Sequence, residues 1–160
     1  MRRKDREVTD RGELFAIVEH CELLYLGLSD PDEPLYPYVV PVNFAPEERD
    51  GALYLYFHGA RAGRKFALME RTGVCSFTAV ASAAVETVPA CRDVTTRYES
   101  VMGKGRLRLL TGEEAVHALQ CIVDHPDASR GFDWNRDVVS RTAVWELAVT
   151  DLTGKANRRA

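Results

Sequence analysis

The order of strand-like and helix-like segments constrains the fold of this chain more than any other feature. Apolar segments rich in strand-forming residues follow one another, and turn signals such as Asp50-Gly51 separate them. A parallel sheet would need a helix between most consecutive strands, and helical patterns do not alternate with the strands here. We therefore predict a mainly β fold, an antiparallel six-stranded β-barrel with peripheral helices. The predicted strands cover residues 22–28, 36–44, 52–57, 74–80, 98–110 and 142–152.

Three helices are predicted before and between these strands. Asp10 begins the first, because Glu13 stands three residues later, as in a capping box. A short helix covers residues 63–71. The last helix starts at a capping box, residues 111–114, and ends at His125-Pro126, because a residue before proline avoids the helical conformation. These helices are too few for a doubly wound α/β fold.

Prolines and glycines interrupt several of the predicted strands. Pro37 and Pro41 lie in the second strand, and proline cannot donate a hydrogen bond to a neighbouring strand. We therefore expect an edge, a bulge or a ligand along part of this strand. The fifth strand should break or bend at residues 103–105, and residues 81–92 form either a loop or an irregular strand. Residues 127–136 are polar and aromatic and are predicted as a mobile loop.

The composition indicates one domain over residues 1–160, with residues 1–9 and 156–160 as flexible ends. The net charge of −3 argues against general nucleic-acid binding. No apolar run is long enough to span a bilayer, so no membrane partner is expected. The charged N-terminus leads into no apolar signal core. We therefore expect a cytoplasmic protein.

The cysteines are scattered along the sequence. Cys21, Cys75, Cys91 and Cys121 include no Cys-x-x-Cys pair, and the histidines are not clustered. We therefore predict no metal site of the zinc-finger type. Cys21 and Cys75 lie in apolar runs and should be buried as small hydrophobic residues. Cys91 lies in a more polar stretch, so we expect it to be exposed. A redox role for its thiol is an alternative that the sequence leaves open.

The segment from Leu53 to Lys65 carries the first functional signal. It has the pattern of a buried strand, a glycine-containing turn and the first turn of a helix. Arg64 and Lys65 lie where that helix begins, although the positive end of the helix dipole disfavours cations. This arrangement favours binding of an anion such as a phosphate, and two solvated surface cations are the alternative. The sequence has no Walker loop and no Gly-x-Gly-x-x-Gly after a strand, so a nucleotide-like phosphate would bind through a different motif.

Four short motifs occur in a specific order. They are Pro41-Val42-Asn43-Phe44, Tyr56-Phe57-His58-Gly59-Ala60, Gly63-Arg64-Lys65 and Tyr98-x-Ser100-Val101-x-Gly103-x-Gly105-Arg106. Together they resemble the FMN-binding split β-barrel superfamily, whose best-known member is pyridoxamine 5'-phosphate oxidase. The closer resemblance is to the branch of nitroimidazole-resistance proteins, and it extends over nearly the whole chain. The resemblance implies a split barrel that forms a homodimer, with FMN at the subunit interface.

The resemblance also implies roles for individual residues. Arg64 and Lys65 would hold the flavin phosphate. Asn43 would lie along the polar edge of the flavin ring, although it could merely satisfy a bulge. His58 would face the flavin and the substrate space as the catalytic candidate, and a simple turn residue is the alternative. The full set of predicted cofactor-binding residues is Pro41, Val42, Asn43, Phe57, His58, Gly59, Arg64, Lys65, Ser100 and Val101.

Two classes of function stay open at this point. The first is an FMN-dependent oxidoreductase that reduces a small organic molecule, for example a nitroaromatic such as a 5-nitroimidazole. The second is a non-catalytic flavin-binding or heme-binding protein of the same fold. Pyridoxamine 5'-phosphate oxidase itself is a weaker alternative, since only Arg158-Arg159 offers a second cationic cluster for a substrate phosphate. Phe132 and Trp134 are predicted to plug the core or, in a dimer, to cover the partner's site.

Overall fold

The computed structural model describes residues 3–88, 91–125 and 133–158. A 3-10 turn at Lys4–Arg6 precedes the first strand. The strands are β1 (Glu7–Val8), β2 (Leu23–Leu28), β3 (Tyr38–Arg49), β4 (Ala52–Ala60), β5 (Val74–Val88), β6 (Asp93–Leu110) and β7 (Thr142–Asn157). The helices are α1 (Arg11–Glu19), α2 (Arg64–Thr72), α3 (Gly112–Asp124) and α4 (Arg136–Arg141).

Six of the strands close into an antiparallel barrel. Their order around the barrel is β7-β4-β3-β2-β5-β6, and pairing of β6 with β7 completes the wall. β1 lies outside the barrel and pairs with the end of β7, with Val8 opposite Gly154. The structure therefore confirms the predicted six-stranded antiparallel barrel with peripheral helices.

Local sequence signals set several element boundaries as predicted. The Asp10 side chain caps α1 by accepting a 2.8 Å hydrogen bond from the backbone N–H of Glu13. Asp50 and Gly51 join β3 to β4 with φ angles of 49° and 74°, the left-handed conformation that a type I′ hairpin turn requires. His125 is extended after α3, as expected before a proline.

The barrel interior holds the main hydrophobic core. Leu24 and Leu26 of β2 and Phe57 of β4 are fully buried there, and α1 adds Ile17 and Val18. Burial of such side chains contributes about 1.5–3 kcal/mol each. The helices α3 and α4 pack outside the barrel over a second cluster, which consists of Tyr56, Leu110, Ala115, Ala118, Leu119, Val139 and Val144.

A buried carboxylate fixes α3 against the barrel wall. Glu146 on β7 accepts hydrogen bonds from Arg49 of β3 at 2.7 Å and from Arg108 of β6 at 3.0 Å. Arg108 also donates to Glu114 in the first turn of α3 at 2.7 and 3.0 Å. Two guanidinium groups offset the cost of burying Glu146, so three strands and one helix share one ion-pair network.

The backbone of β6 approaches β7 very closely at two glycines. The pairing register shifts between Lys104 and Gly105. A Cβ atom at Gly105 would lie 2.2 Å from the carbonyl oxygen of Ala148, and one at Gly103 would lie 2.5 Å from that of Asp151. Only glycine fits at such an approach, so the predicted break or bend at residues 103–105 is confirmed.

The segment predicted as a loop or an irregular strand at residues 81–92 is an irregular strand up to Val88, and residues 89–90 lie outside the described residues. β5 continues through it to Val88, with an irregular register between Val80 and Ser82, and β6 begins at Asp93. Its small residues give a weak strand pattern of their own. Antiparallel pairing with β6 supplies the order that local propensity does not.

The helix α4 lies partly in the segment predicted as a mobile loop. Asn135 caps it by accepting a 2.9 Å hydrogen bond from the backbone N–H of Asp137. Six residues are too few for a helical repeat to be recognised in the sequence. Residues 127–132 of that predicted loop lie outside the described residues. No helix in the described ranges combines the length and apolarity needed to cross a bilayer.

The capping box predicted for α3 is only half correct. The helix begins after Thr111 as predicted, but the Thr111 side chain makes no capping hydrogen bond. Glu114, which would complete the box, is bonded to Arg108 instead. The ion pair therefore replaces the reciprocal capping contacts.

Parts of both chain ends carry regular structure. β1 and the 3-10 turn fall within residues 1–9, and β7 reaches Asn157. The guanidinium of Arg158 hydrogen-bonds to Glu13 of α1 and Glu99 of β6. Tertiary contacts therefore order segments whose sequence shows no strong local pattern.

The cysteines lie where their sequence context predicts. Cys21 and Cys75 are buried, and burial raises the pKa of Cys21 to about 11 and that of Cys75 to about 12. Both are therefore protonated, unreactive thiols at neutral pH. Cys91 is exposed and Cys121 is half-buried.

Candidate functional site

β3 changes its hydrogen-bonding partner near its midpoint. Residues 38–43 pair with β2, whereas residues 44–49 pair with β4. β4 continues beyond that pairing, but its residues 58–60 pair with β7 alone. Among the described residues, no strand pairs with the other side of residues 38–43 or of residues 58–60. We call this opening the β3–β4 split. It confirms that the proline-containing strand has an edge along part of its length.

Several predicted site residues lie on the two sides of the β3–β4 split. Pro41 and Asn43 are exposed on β3, and His58 is exposed on β4. Val42 and Phe57 occupy the same segments with their side chains buried in the core. A ligand in the split would therefore reach only the backbone of Val42 and Phe57.

The helix α2 follows β4 and begins with an uncapped end. Its N-cap residue, Gly63, has a φ of 95°, and no side chain in the described part of the chain caps the helix. No side chain or backbone atom of the described residues lies within 4 Å of the position that a Cβ atom on Gly63 would take. The first backbone N–H groups of a helix lack intrahelical acceptors and carry partial positive charge. This end of α2 is therefore suited to a small anion.

Lys65 places a half-buried ammonium group beside β4. Its Nζ lies over Gly59, so a Cβ atom on Gly59 would be only 2.9 Å away from it. Burial lowers the pKa of Lys65, and no carboxylate of the described residues forms an ion pair with it. A cation held partly out of water without a counter-charge is costly, and an anionic ligand would remove that cost.

Arg64, in contrast, is engaged by two carboxylates. It donates to Asp30 through Nε at 3.1 Å and Nη2 at 2.8 Å, and to Glu33 through Nη2 at 2.6 Å. The guanidinium also lies 5.3 Å from the ring centre of Tyr38. Arg71, at the other end of α2, donates to Asp32 at 2.7 Å. The loop between β2 and β3 is therefore bound to α2 through its acidic residues.

Asp30 is the buried member of this contact. The backbone N–H of Asp32 and the Arg64 guanidinium lower the pKa of its carboxyl, so it is ionised at neutral pH. Residues 29–34 have the composition of a turn, and this role of Asp30 was not predicted from the sequence. The signal was present, because Asp30, Asp32 and Glu33 place three acidic residues in one turn of a chain whose next helix carries Arg64.

His58 is positioned to act as a neutral imidazole. Partial burial and the positive charge of Lys65 lower its pKa below the ordinary value of 6.5. Both effects disfavour the charged ring, although the residue is exposed to solvent. At neutral pH His58 can therefore donate through one ring nitrogen and accept through the other.

Ser100 and Val101 lie elsewhere on the barrel. They belong to β6, and β2 and β5 separate β6 from β3. Val101 is buried in the core, while Ser100 is partly exposed on the outside. Within one chain the structure does not bring this pair to the β3–β4 split.

The outside of the sheet between the split and Ser100 is unusually apolar. Strand alternation puts Tyr25 on this side, opposite Pro41 on β3 and Thr78 on β5. Tyr25 is 39% exposed, Val39 62% and Met102 50%. We call this surface the outer face, and its exposed apolar residues are Leu23, Tyr25, Val39, Val80 and Met102.

Trp134 packs within its own chain. Its Nε1 donates to the side-chain oxygen of Gln120 at 3.0 Å, and its ring packs against the cluster under α3. Of the two interpretations from the sequence, these contacts favour the core plug. Phe132 lies outside the described residues.

The fold matches several solved structures. With a proposed 5-nitroimidazole antibiotic resistance protein from Bacteroides thetaiotaomicron VPI-5482, the TM-score is 0.80 and the identity 27%, over 93% of this chain and 85% of that chain. With the flavocytochrome Anf3 from Azotobacter vinelandii, the TM-score is 0.78 and the identity 23%, over 99% of this chain and 72% of that chain. With the FAD and heme binding protein from Mycobacterium smegmatis, the TM-score is 0.79 and the identity 17%, over 96% of this chain and 74% of that chain. At the identities of these last two proteins, the match shows a similar fold alone.

The sequence itself matches a protein family. The profile described as pyridoxamine 5'-phosphate oxidase matches residues 10–156, which include the whole barrel except the last residue of β7. No curated protein matches the sequence. The chain therefore belongs to the pyridoxamine 5'-phosphate oxidase family, whose split-barrel fold the structure reproduces.

Proposed function

We propose that this protein binds FMN in the β3–β4 split and reduces a small organic substrate there. The observation that carries the proposal is the Lys65 ammonium, which lies without an acidic partner among the described residues next to the uncapped end of α2. Membership of the family and the flavoproteins among similar folds support a flavin as the cofactor.

The residues at the start of α2 fit a flavin phosphate. Lys65 and the first backbone N–H groups of the helix supply donors to phosphate oxygens. Arg64 holds Asp30 and Glu33 through Nε and Nη2, and its Nη1 has no acidic partner among the described residues. We infer that Lys65 makes the main phosphate contact, and that Arg64 adds one bond while it keeps the loop in place.

The β3–β4 split offers groups for the ring of the flavin. Residues 38–43 and 58–60 present strand edges that no strand among the described residues covers on one side. The exposed Asn43 amide can both donate and accept, as the polar edge of an isoalloxazine ring requires. The flavin would supply the electron transfer, and the protein would supply binding and orientation.

A nitroaromatic is the substrate class that we favour. The fold resembles that of a proposed 5-nitroimidazole antibiotic resistance protein at 27% identity. The neutral imidazole of His58 can hydrogen-bond a nitro group next to the ring. Pyridoxamine 5'-phosphate as a substrate has less support, because Arg158 is engaged by Glu13 and Glu99 and is not available for a second phosphate.

The absorption spectrum and an anaerobic turnover test this function. The purified protein should show the two flavin bands in the near-ultraviolet and the blue. After photoreduction without oxygen, a 5-nitroimidazole should restore the blue band as electrons pass to the nitro group. A single dominant Soret band would identify a heme protein instead, and a reduced flavin that no nitroaromatic reoxidises would exclude the reductase.

In the same assay, replacement of His58 by Ala should leave FMN bound and slow reoxidation by roughly tenfold or more. The flavin spectrum of the resting variant is the control. Because the pKa of His58 is lowered, the wild-type rate should be constant at neutral pH and change only below pH 6.5. Loss of FMN would place His58 in the cofactor site, and an unchanged rate would make it a turn residue only.

The phosphate contact predicts a difference between FMN and riboflavin. Lys65→Ala should weaken FMN binding by about 1.5–3 kcal/mol, roughly 10- to 150-fold in Kd, and leave riboflavin binding nearly unchanged. Arg71→Ala is the matched control, because it removes a cation and an ion pair from the far end of the same helix. Titration by flavin fluorescence gives six Kd values, for FMN and for riboflavin with the wild type and each of the two variants. Equal losses for FMN and riboflavin in Lys65→Ala would show that Lys65 does not contact the phosphate.

A second copy of the chain would complete this site, and we propose a homodimer with the flavin at its interface. The outer face exposes large apolar side chains and adjoins Pro41 and Asn43 at the edge of the split. Ser100 lies on the same side of the sheet. Pairing of two outer faces would bury this surface and bring Ser100 of one chain towards the split of the other.

Sedimentation equilibrium at micromolar concentration should give twice the chain mass of 17.9 kDa. Met102→Glu should produce a monomer with weakened FMN binding, because a charge would then be buried in the interface. Val138→Glu, an equivalent change at an exposed position of α4, should leave the dimer intact. A wild-type monomer that retains FMN would refute the interface site.

A further inference from the structure

Three side chains with metal-ligating atoms meet between β3 and α3. Glu47 comes from β3, and His117 and Cys121 come from α3. Their ligand atoms all lie within 4.8 Å of one another. His117 Nε2 is 2.7 Å from Glu47 Oε1 and 3.6 Å from Cys121 Sγ. Ligand atoms around tetrahedral zinc are roughly 3.3–3.7 Å apart, so small side-chain rotations would admit the ion.

The backbone holds these donors in place before any metal binds. His117 and Cys121 are four residues apart in a helix, so both lie on one face and can chelate the same ion. The ion pair of Arg108 with Glu114 and the buried cluster under α3 fix that helix against the barrel. Glu47 lies in the half of β3 that pairs with β4. The cluster therefore joins two rigid elements.

Glu47 has the support that a carboxylate ligand needs. The Tyr56 hydroxyl donates to its Oε2 at 2.6 Å, which orients the group and leaves Oε1 towards His117. Partners that orient a ligand in this way are typical of metal sites.

We propose that Glu47, His117 and Cys121 form a zinc-binding site that joins α3 to β3. Zinc would take the Oε1, Nε2 and Sγ atoms as ligands, and the thiol would release its proton to solvent. His117 is exposed, so a water molecule can fill the fourth position. A set of one sulfur, one nitrogen and one oxygen favours zinc over calcium or magnesium, which prefer oxygen alone.

This site is independent of the proposed flavin site. Glu47 is six residues from Pro41 along one extended strand, a separation of roughly 20 Å. None of its three residues belongs to the β3–β4 split or to α2. Loss of zinc should therefore leave FMN bound, and loss of FMN should leave zinc bound.

Calorimetric titration with zinc tests the proposal. The protein is first treated with a chelator and a thiol reductant, and any bound flavin is left in place. Zinc should bind with one ion per chain, and titration in two buffers of different ionisation enthalpy should show release of a proton. Cys121→Ser and His117→Gln should each weaken binding at least tenfold, and Cys121→Ser should abolish the release of the thiol proton. Cys91→Ser, which changes an exposed cysteine outside the cluster, should bind zinc as the wild type does.

Circular dichroism establishes that each variant is folded before its affinity is compared. A further measurement uses thermal unfolding: zinc should raise the Tm of the wild type and of Cys91→Ser but not that of Cys121→Ser. Absence of zinc binding at micromolar concentration would overturn the proposal. So would equal zinc affinity in the wild type and in both ligand variants, because the ion would then bind elsewhere.

Discussion

The exchange of neighbours along β3 is the constraint on which the proposed cofactor site depends. Six residues of this strand pair with β2 and the next six with β4, so the two neighbouring strands separate where the exchange occurs. Pro41 is tolerated because its part of β3 pairs with β2 alone among the described residues, whereas a proline in a strand paired on both sides would remove a ladder hydrogen bond. The opening in the wall thus follows from the pairing of the strands.

The cations of α2 differ in whether they form ion pairs. Arg64 and Arg71 bind the acidic loop between β2 and β3, and Asp30 is buried in that contact. Lys65 has no such counterpart among the described residues and loses hydration to its surroundings. The two arginines therefore stabilise the loop next to the split. Lys65 is the cation for which an anionic ligand offers the largest gain.

Much of the fold could be predicted from the sequence because its signals are local. The Asp50-Gly51 turn, the Asp10 cap and the glycines at 103–105 each specify a backbone conformation within a few residues. The sequence did not decide between a loop and an irregular strand for the extension of β5, and it did not predict the short helix α4, because pairing with β6 and packing under α3 stabilise these two segments.

The candidate site was predictable to a similar extent. The motifs identified residues that the structure places on both sides of the split, but Ser100 and Val101 lie on β6, three strands from β3 in the same chain. The bonds from Arg64 to Asp30 join residues 34 positions apart, and no short motif contains both. The proposed zinc site was not predicted either. Glu47 and His117 are 70 positions apart in the sequence, so no local motif brings the ligands together.

A crystal structure of the FMN complex tests the central claim most directly. We predict the phosphate within hydrogen-bond distance of Lys65 Nζ and of the first backbone N–H groups of α2, with the ring along residues 38–43 of β3. The bonds from Arg64 to Asp30 should persist in the complex. A phosphate bound away from α2, or a ring outside the β3–β4 split, would contradict this account.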